Sequence, residues 1–191
     1  MRRLRILVAD DESIIRMGLR TMLTALGHQV QLAADGREAL NLARSGRFDL
    51  ALLDIEMPLT DGLEAAKVLA RKHPMAIVIL TAYSDPDLIE RAAHLPIQGY
   101  LVKPVNERDL AAALEVAVAR FEDAQAAAGQ NAALLGKLEA RKVVERAKGL
   151  LMQTGLTEDE AYQTLQRQAR AARLTLQQAA EAVLREKGAG Q

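Results

Sequence analysis

Five short apolar runs, each followed by a stretch of helical periodicity, limit what this chain can fold into. The runs are Ile6–Ala9, Val30–Ala33, Leu50–Leu53, Ala76–Leu80 and Tyr100–Val102. Each is continuous rather than alternating, the pattern of a strand covered on both faces. Helix-like segments follow at Ser13–Leu26, Gly36–Ser45, Gly62–Lys72, Asp85–His94 and from Asn106 onward, with Gly27, Gly46 and Pro74 as punctuation. Five β–α repeats with short loops predict an α/β fold: a five-stranded, doubly wound parallel sheet with helices on both faces.

Sheets of this kind gather their chemistry at the carboxyl ends of the strands. Here those ends read Asp10-Asp11-Glu12, Asp54, Thr81-Ala82 and Lys103-Pro104. Transfer of a phosphoryl group to a carboxylate needs a nucleophilic acid, a divalent metal, a cation and a hydrogen-bond donor. Asp54 suits the nucleophile. Asp11 suits direct metal binding, and Asp10 binding through water; ligands that are all oxygen fit Mg2+. Lys103 supplies the cation and Thr81 the hydroxyl, while small Ala82 leaves space for phosphate. Taken singly, Asp10 reads as a helix cap, Asp54 as a strand end and Lys103 as a surface lysine. Their convergence on one rim favours the phosphoacceptor reading.

The strings ILVADDE, LLDIEMPLTDG, VILTAYS and GYLVKP follow in order, and residues 4–120 resemble the response-regulator receiver family. The resemblance implies a flavodoxin-like receiver whose Asp54 takes its phosphoryl group from the phosphohistidine of a sensor histidine kinase. It also implies that the backbone carbonyl of Glu56 joins the metal ligands, that the Lys103–Pro104 bond is cis, and that Asp61-Gly62 shapes the adjoining loop. Switching would couple Thr81 to Tyr100, the alternative for Tyr100 being an ordinary strand-edge aromatic. The surface expected to change comprises Pro86–Leu95, Gln98–Val102 and Asn106–Arg120. Glu56 and Tyr83 flank the site and would tune phosphate lifetime.

After Asn106 the strand pattern stops. Leu110, Leu114, Ala117, Phe121, Ala124, Ala128, Asn131, Leu135 and Leu138 recur at spacings of four and three, a heptad seam rich in alanine. This predicts either a helical stalk, weak alone and able to pair in a homodimer, or a flexible linker at 122–133. Beyond it, VVERAKGLLMQ reads as helix. Thr157 with Glu160 forms a capping-box pattern, and Thr175 suits the N-cap of a further helix. The expected organisation is a receiver at 1–120, a helical linker or stalk at 121–134 and a three-helix bundle at 135–187.

Lys plus Arg and Asp plus Glu are equal at 25 each, so net charge singles out no partner. The charge is uneven locally: Arg141, Lys142, Arg146 and Lys148 crowd one helix, and Arg167, Arg170 and Arg173 repeat every three residues. Such stripes either contact phosphates or form a solvated face. The strings LEARKVVERAKGLLMQ and GLTEDEAYQTLQRQA make residues 135–186 similar to the ANTAR family of RNA-binding antitermination domains. That resemblance implies binding to paired RNA hairpins, with Arg141, Lys148, Gly149 and Tyr162 as contact candidates beside basic Lys142. Gly149 reads equally as a helix-packing point, and Tyr162 equally as a core residue.

The chain contains no cysteine, which excludes disulfides and thiolate metal sites and suits a reducing cytoplasm. The start MRRLRILVADDES does not read as a signal peptide, and no stretch approaches the ~18 apolar residues of a membrane span. The tail holds no histidine and no acid pair at a catalytic spacing, so no enzymatic output is expected. The reading is a phosphorylation-dependent cytoplasmic response regulator that binds RNA hairpins, the alternatives being a DNA-binding or a protein-interacting output.

Overall fold

A computed structural model of the chain describes residues 2–58, 60–82 and 95–188. The strands are β1 (Arg5–Ala9), β2 (Gln29–Ala33), β3 (Leu50–Asp54), β4 (Ala76–Thr81) and β5 (Gly99–Val102). They form one parallel sheet in the order β2-β1-β3-β4-β5. The helices are α1 (Ser13–Ala25), α2 (Gly36–Ser45), α3 (Gly62–Lys72), α4 (Glu107–Met152), α5 (Glu158–Ala172) and α6 (Leu176–Gly188). The helix expected over Asp85–His94, and Tyr83, lie outside the described residues.

Because strand side chains alternate between faces, the apolar runs of β1, β3 and β4 each divide between two cores. Leu7, Ala9, Ala51, Leu53, Ile77 and Ile79 join residues of α2 and α3, including Ala39, Ala43, Ala66 and Leu69. Ile6, Val8, Leu50, Leu52, Val78 and Leu80 pack instead with Leu19 and Leu23 of α1 and Leu110, Leu114 and Ala117 of α4. The expectation of burial on both faces holds for β1, β3 and β4 and fails for β2 and β5. Those two are the sheet edges, so Gln29 and Gln31 are exposed, and Tyr100 and Val102 remain 44% and 54% exposed.

Contacts divide the chain into residues 1–125 and residues 126–191, and the division falls inside α4. The seam on α4 is apolar and buried through Leu110, Leu114 and Ala117, and Phe121 still packs on the receiver core. Further along, Leu134, Leu135 and Leu138 are 58%, 63% and 55% exposed. The stretch expected as stalk or linker lies within α4 and is helical.

The second unit has its own small core, in which Val144, Ala147 and Leu151 of α4 meet Ala161 and Leu165 of α5 and Ala180 and Val183 of α6. Its helix starts follow the sequence signals. Thr157 and Glu160 complete a reciprocal capping box. Thr175 does the same with Gln178: its hydroxyl accepts the Gln178 N–H, and its own N–H donates to the Gln178 amide oxygen.

Candidate functional site

Two strand ends, those of β1 and β3, bring the receiver's acids together. Asp10, Asp11 and Asp54 each offer a carboxylate oxygen within 4.8 Å of the others. Asp10 and Asp54 are buried and Asp11 is exposed. Into this cluster β5 delivers Lys103, whose side chain is 11% exposed, with Nζ 2.7 Å from Asp10 Oδ2 and 3.0 Å from Asp54 Oδ2. Glu12 lies farther away, 4.0 Å from the same ammonium.

Burial pushes the Asp54 carboxyl above its ordinary range, more strongly than the Lys103 hydrogen bond and charge pull it down; neighbouring Asp10 adds to the rise. Burial also works against the Lys103 ammonium, but its hydrogen bonds to Asp10 and Asp54 outweigh that and hold its pKa above the usual lysine value. One cation thus serves two buried carboxylates, leaving the pocket an excess of negative charge. Its donors are all oxygen, and this set fits a hard divalent cation.

The loop after β1 is fixed by two interactions. Asp10 Oδ1 accepts the Glu12 N–H at 2.8 Å, so Asp10 closes a local turn as well as facing Lys103. Arg16, on the first turns of α1, donates from Nη1 to the carbonyls of Asp10 at 2.6 Å and Asp11 at 2.9 Å. Sequence reasoning passed over Arg16. The signal was present as a cation five and six residues after the two acids, where a helix start turns it back over the loop.

On the opposite side, Thr81 ends β4 and is 9% exposed, and its carbonyl accepts the Lys103 N–H at 2.8 Å. The Lys103–Pro104 bond is cis. Asp61 caps α3 by accepting the Glu64 N–H. The glycine after it is required: a Cβ on Gly62 would overlap the Asp54 carbonyl. Glu56 is exposed in the turn after β3, and its carbonyl accepts no backbone hydrogen bond among the described residues. Tyr100 stands on β5 with its ring half in solvent, and burial raises its hydroxyl pKa.

Within the second unit the candidates separate. Arg141 is exposed and forms no ion pair among the described residues, whereas Lys142 pairs with Glu139 at 2.7 Å on the surface. Lys148 is 8% exposed, its Nζ 2.6 Å from Glu158 and 3.2 Å from Glu145. The Glu158 hydrogen bond, then the Glu145 one, raise the Lys148 pKa. A phosphate reaching this ammonium would compete with both carboxylates. Gly149 is exposed, and a Cβ there meets nothing within 4 Å, so no close helix packing accounts for it. Tyr162 is 39% exposed and stands outside the apolar core.

Residues 6–115 match the family described as response regulator receiver domain, and residues 132–184 match the ANTAR domain. The chain belongs to the receiver–ANTAR response regulators. The regulator is 46% identical over 182 residues to the transcriptional regulatory protein PdtaR of Mycobacterium tuberculosis, spanning 94% of this chain and 89% of that protein. It is 40% identical over 133 residues to the response regulator MprA of Mycolicibacterium vanbaalenii, 68% of this chain and 56% of that one. Among solved structures it is similar to the chemotaxis protein CheY4 of Vibrio cholerae, with a TM-score of 0.58 and 32% identity over 61% of this chain and 99% of that one. No helix among the described residues is long and apolar enough to cross a membrane.

Proposed function

We propose that the regulator is phosphorylated on Asp54 by a sensor histidine kinase in the cytoplasm and then binds RNA hairpins as a transcription antiterminator. The observation that carries the first half is the Lys103 ammonium held 2.7 Å from Asp10 and 3.0 Å from Asp54 at one rim of the sheet. An Asp54 carboxylate oxygen attacks phosphorus, the phosphorus–nitrogen bond to the kinase imidazole breaks, and its electron pair remains with the imidazole. Lys103 then has a phosphoryl oxygen to pair with beside Asp10, and the Thr81 hydroxyl donates to another. Asp10, Asp11, Asp54 and the Glu56 carbonyl would hold Mg2+, which neutralises phosphoryl charge. Gly62 keeps the loop close under Asp54, and Arg16 keeps the acidic loop in place.

The ANTAR match supports the second half. The proposed organisation is a receiver at 1–120, a helical linker at 121–134 and the RNA-binding unit at 135–187. Residues Arg141, Lys142, Lys148, Gly149 and Tyr162 are the proposed contacts, with Tyr162 offering a ring for stacking on an unpaired base. Because α4 supplies residues to both cores, a change at the β5–α4 face has a covalent route onward, with Thr81 and Tyr100 as the switch pair. Phosphorylation favours a homodimer.

The test treats the protein with acetyl phosphate and Mg2+, then reads mass and light scattering. The reading expects one phosphoryl group, mapped to Asp54, lost in Asp54→Asn and without Mg2+, and accompanied by dimer. A phosphoryl group on Asp54→Asn, or none on the parent, contradicts the site; a phosphorylated monomer contradicts the dimer.

A further inference from the structure

The C-terminal end of α5 carries a cationic edge that the contacts proposed above leave unused. Arg167, Arg170 and Arg173 are all exposed, and among the described residues none forms an ion pair. The hydrogen bond from Arg167 Nη2 to Thr164 Oγ1, at 3.2 Å, orients one guanidinium without neutralising it. Lys142 and Lys148 of α4 differ, since both are held by carboxylates. The acids of α5, Glu158, Asp159 and Glu160, all stand in its first turn. At 1.5 Å per residue they lie roughly 10 Å or more along the axis from the arginines, beyond the ~8 Å over which salt leaves exposed charges coupled. Three-residue spacing turns each arginine about 60° from the last and advances it about 4.5 Å, so the three fan over one edge of the helix.

A second observation comes from the backbone. Arg173 caps α5 in the left-handed region, at φ 54° and ψ 40°, and is the one non-glycine residue with positive φ among the described residues. Its N–H and that of Leu174 close the helix end onto the carbonyls of Ala169 and Arg170. Glycine takes this position without strain and is the usual choice there. A strained arginine in its place extends the cationic edge past the last helical turn, and strain of this kind gathers at functional positions.

Resting on the RNA-binding reading above, we infer that Arg167, Arg170 and Arg173 form a second phosphate-contacting surface, separate from the α4 candidates, that grips the RNA backbone. Its role is to position the RNA irrespective of base, because guanidiniums aimed at phosphates carry no sequence information. A purely structural role in capping the helix dipole predicts a different result: loss of stability without loss of charge-dependent binding.

The experiment uses the full-length protein with acetyl phosphate and Mg2+, and a synthetic RNA of two tandem hairpins, titrated by anisotropy from about 50 to 300 mM KCl. Arg173→Gly should weaken binding about threefold to tenfold and flatten the salt dependence by about one charge, while the melting midpoint holds or rises. Arg173→Lys should keep both affinity and salt slope. Replacing all three arginines with glutamine should flatten the slope by about two to three charges. Unchanged affinity and slope in the triple variant overturn the inference and leave the edge to an acidic protein surface. A loss of affinity that tracks a fallen melting midpoint, with the slope intact, also overturns it. Failure of the parent protein to bind RNA in either phosphorylation state overturns the RNA reading itself, and this surface with it.

Discussion

In the receiver, Lys103 is 11% exposed between two buried carboxylates, whereas in the C-terminal unit Arg141, Arg146, Arg167, Arg170 and Arg173 stand in solvent without an ion pair among the described residues. On the function proposed above, the difference follows from what each unit would meet. A small phosphoryl group must be enclosed, so its partners are drawn out of water and brought against one another before it arrives. A polyanion is met at a surface, so its partners stay solvated and the fold does little to fix them. Lys148 is the exception in the second unit, buried like Lys103 and shared between two acids.

The sharpest way to break this comparison is Lys103→Met. It leaves Asp10 and Asp54 facing each other without the cation, and breaking a buried pair from one side should cost about 2–4 kcal/mol in a urea melt and abolish phosphorylation by acetyl phosphate. A near-neutral effect would mean that the pair is not insulated from water. Next in size is a matched cut in the two cores. Leu52→Ala in the receiver and Leu165→Ala in the second unit both remove a fully buried leucine. The first should cost about 3–5 kcal/mol and the second about 2–3, because a three-helix core collapses more readily around a cavity.

A smaller effect is expected at Gly149. Its Cβ would meet open space, so Gly149→Ala should stabilise α4 by about 0.5–1 kcal/mol. If the glycine serves close approach by RNA, affinity falls while stability rises. The smallest effect belongs to His28, whose buried ring accepts the Leu4 N–H at Nδ1, 3.2 Å away. Burial holds its pKa below the ordinary 6.5. The unfolded chain then takes up a proton that the folded chain resists, so receiver stability should fall as pH drops below about 6.5. His28→Gln should flatten that dependence in urea melts between pH 7.5 and about 5.5.

The same contrast explains what could be read from the sequence. Each central strand is an unbroken apolar run because both of its faces are covered, and each leads into a polar residue at the rim: Asp10, Asp54 or Thr81. Asp54, at the end of central β3, and Lys103, after edge strand β5, were legible as neighbours because both strands end on one rim, although the two lie far apart in sequence. Arg16 was not, because it acts through backbone carbonyls and its one mark is its spacing from Asp10 and Asp11. The edge strands were read as more buried than they are, since an apolar run such as Tyr100–Val102 does not reveal which strand lacks a neighbour. In the second unit the caps were legible from Thr157, Glu160 and Thr175, whose chemistry is local. The clamp on Lys148 was not, because Glu158 belongs to the next helix and only packing brings it near.

The central claim is that phosphate on Asp54 controls an RNA-binding surface elsewhere in the chain. The direct measurement is the affinity for a two-hairpin RNA, with duplex DNA as control, for the parent protein before and after acetyl phosphate with Mg2+, beside Asp54→Asn treated the same way. The account predicts binding that prefers RNA, rises on phosphorylation and does not rise in Asp54→Asn. Equal affinity in all three samples, or a rise that persists in Asp54→Asn, would contradict it.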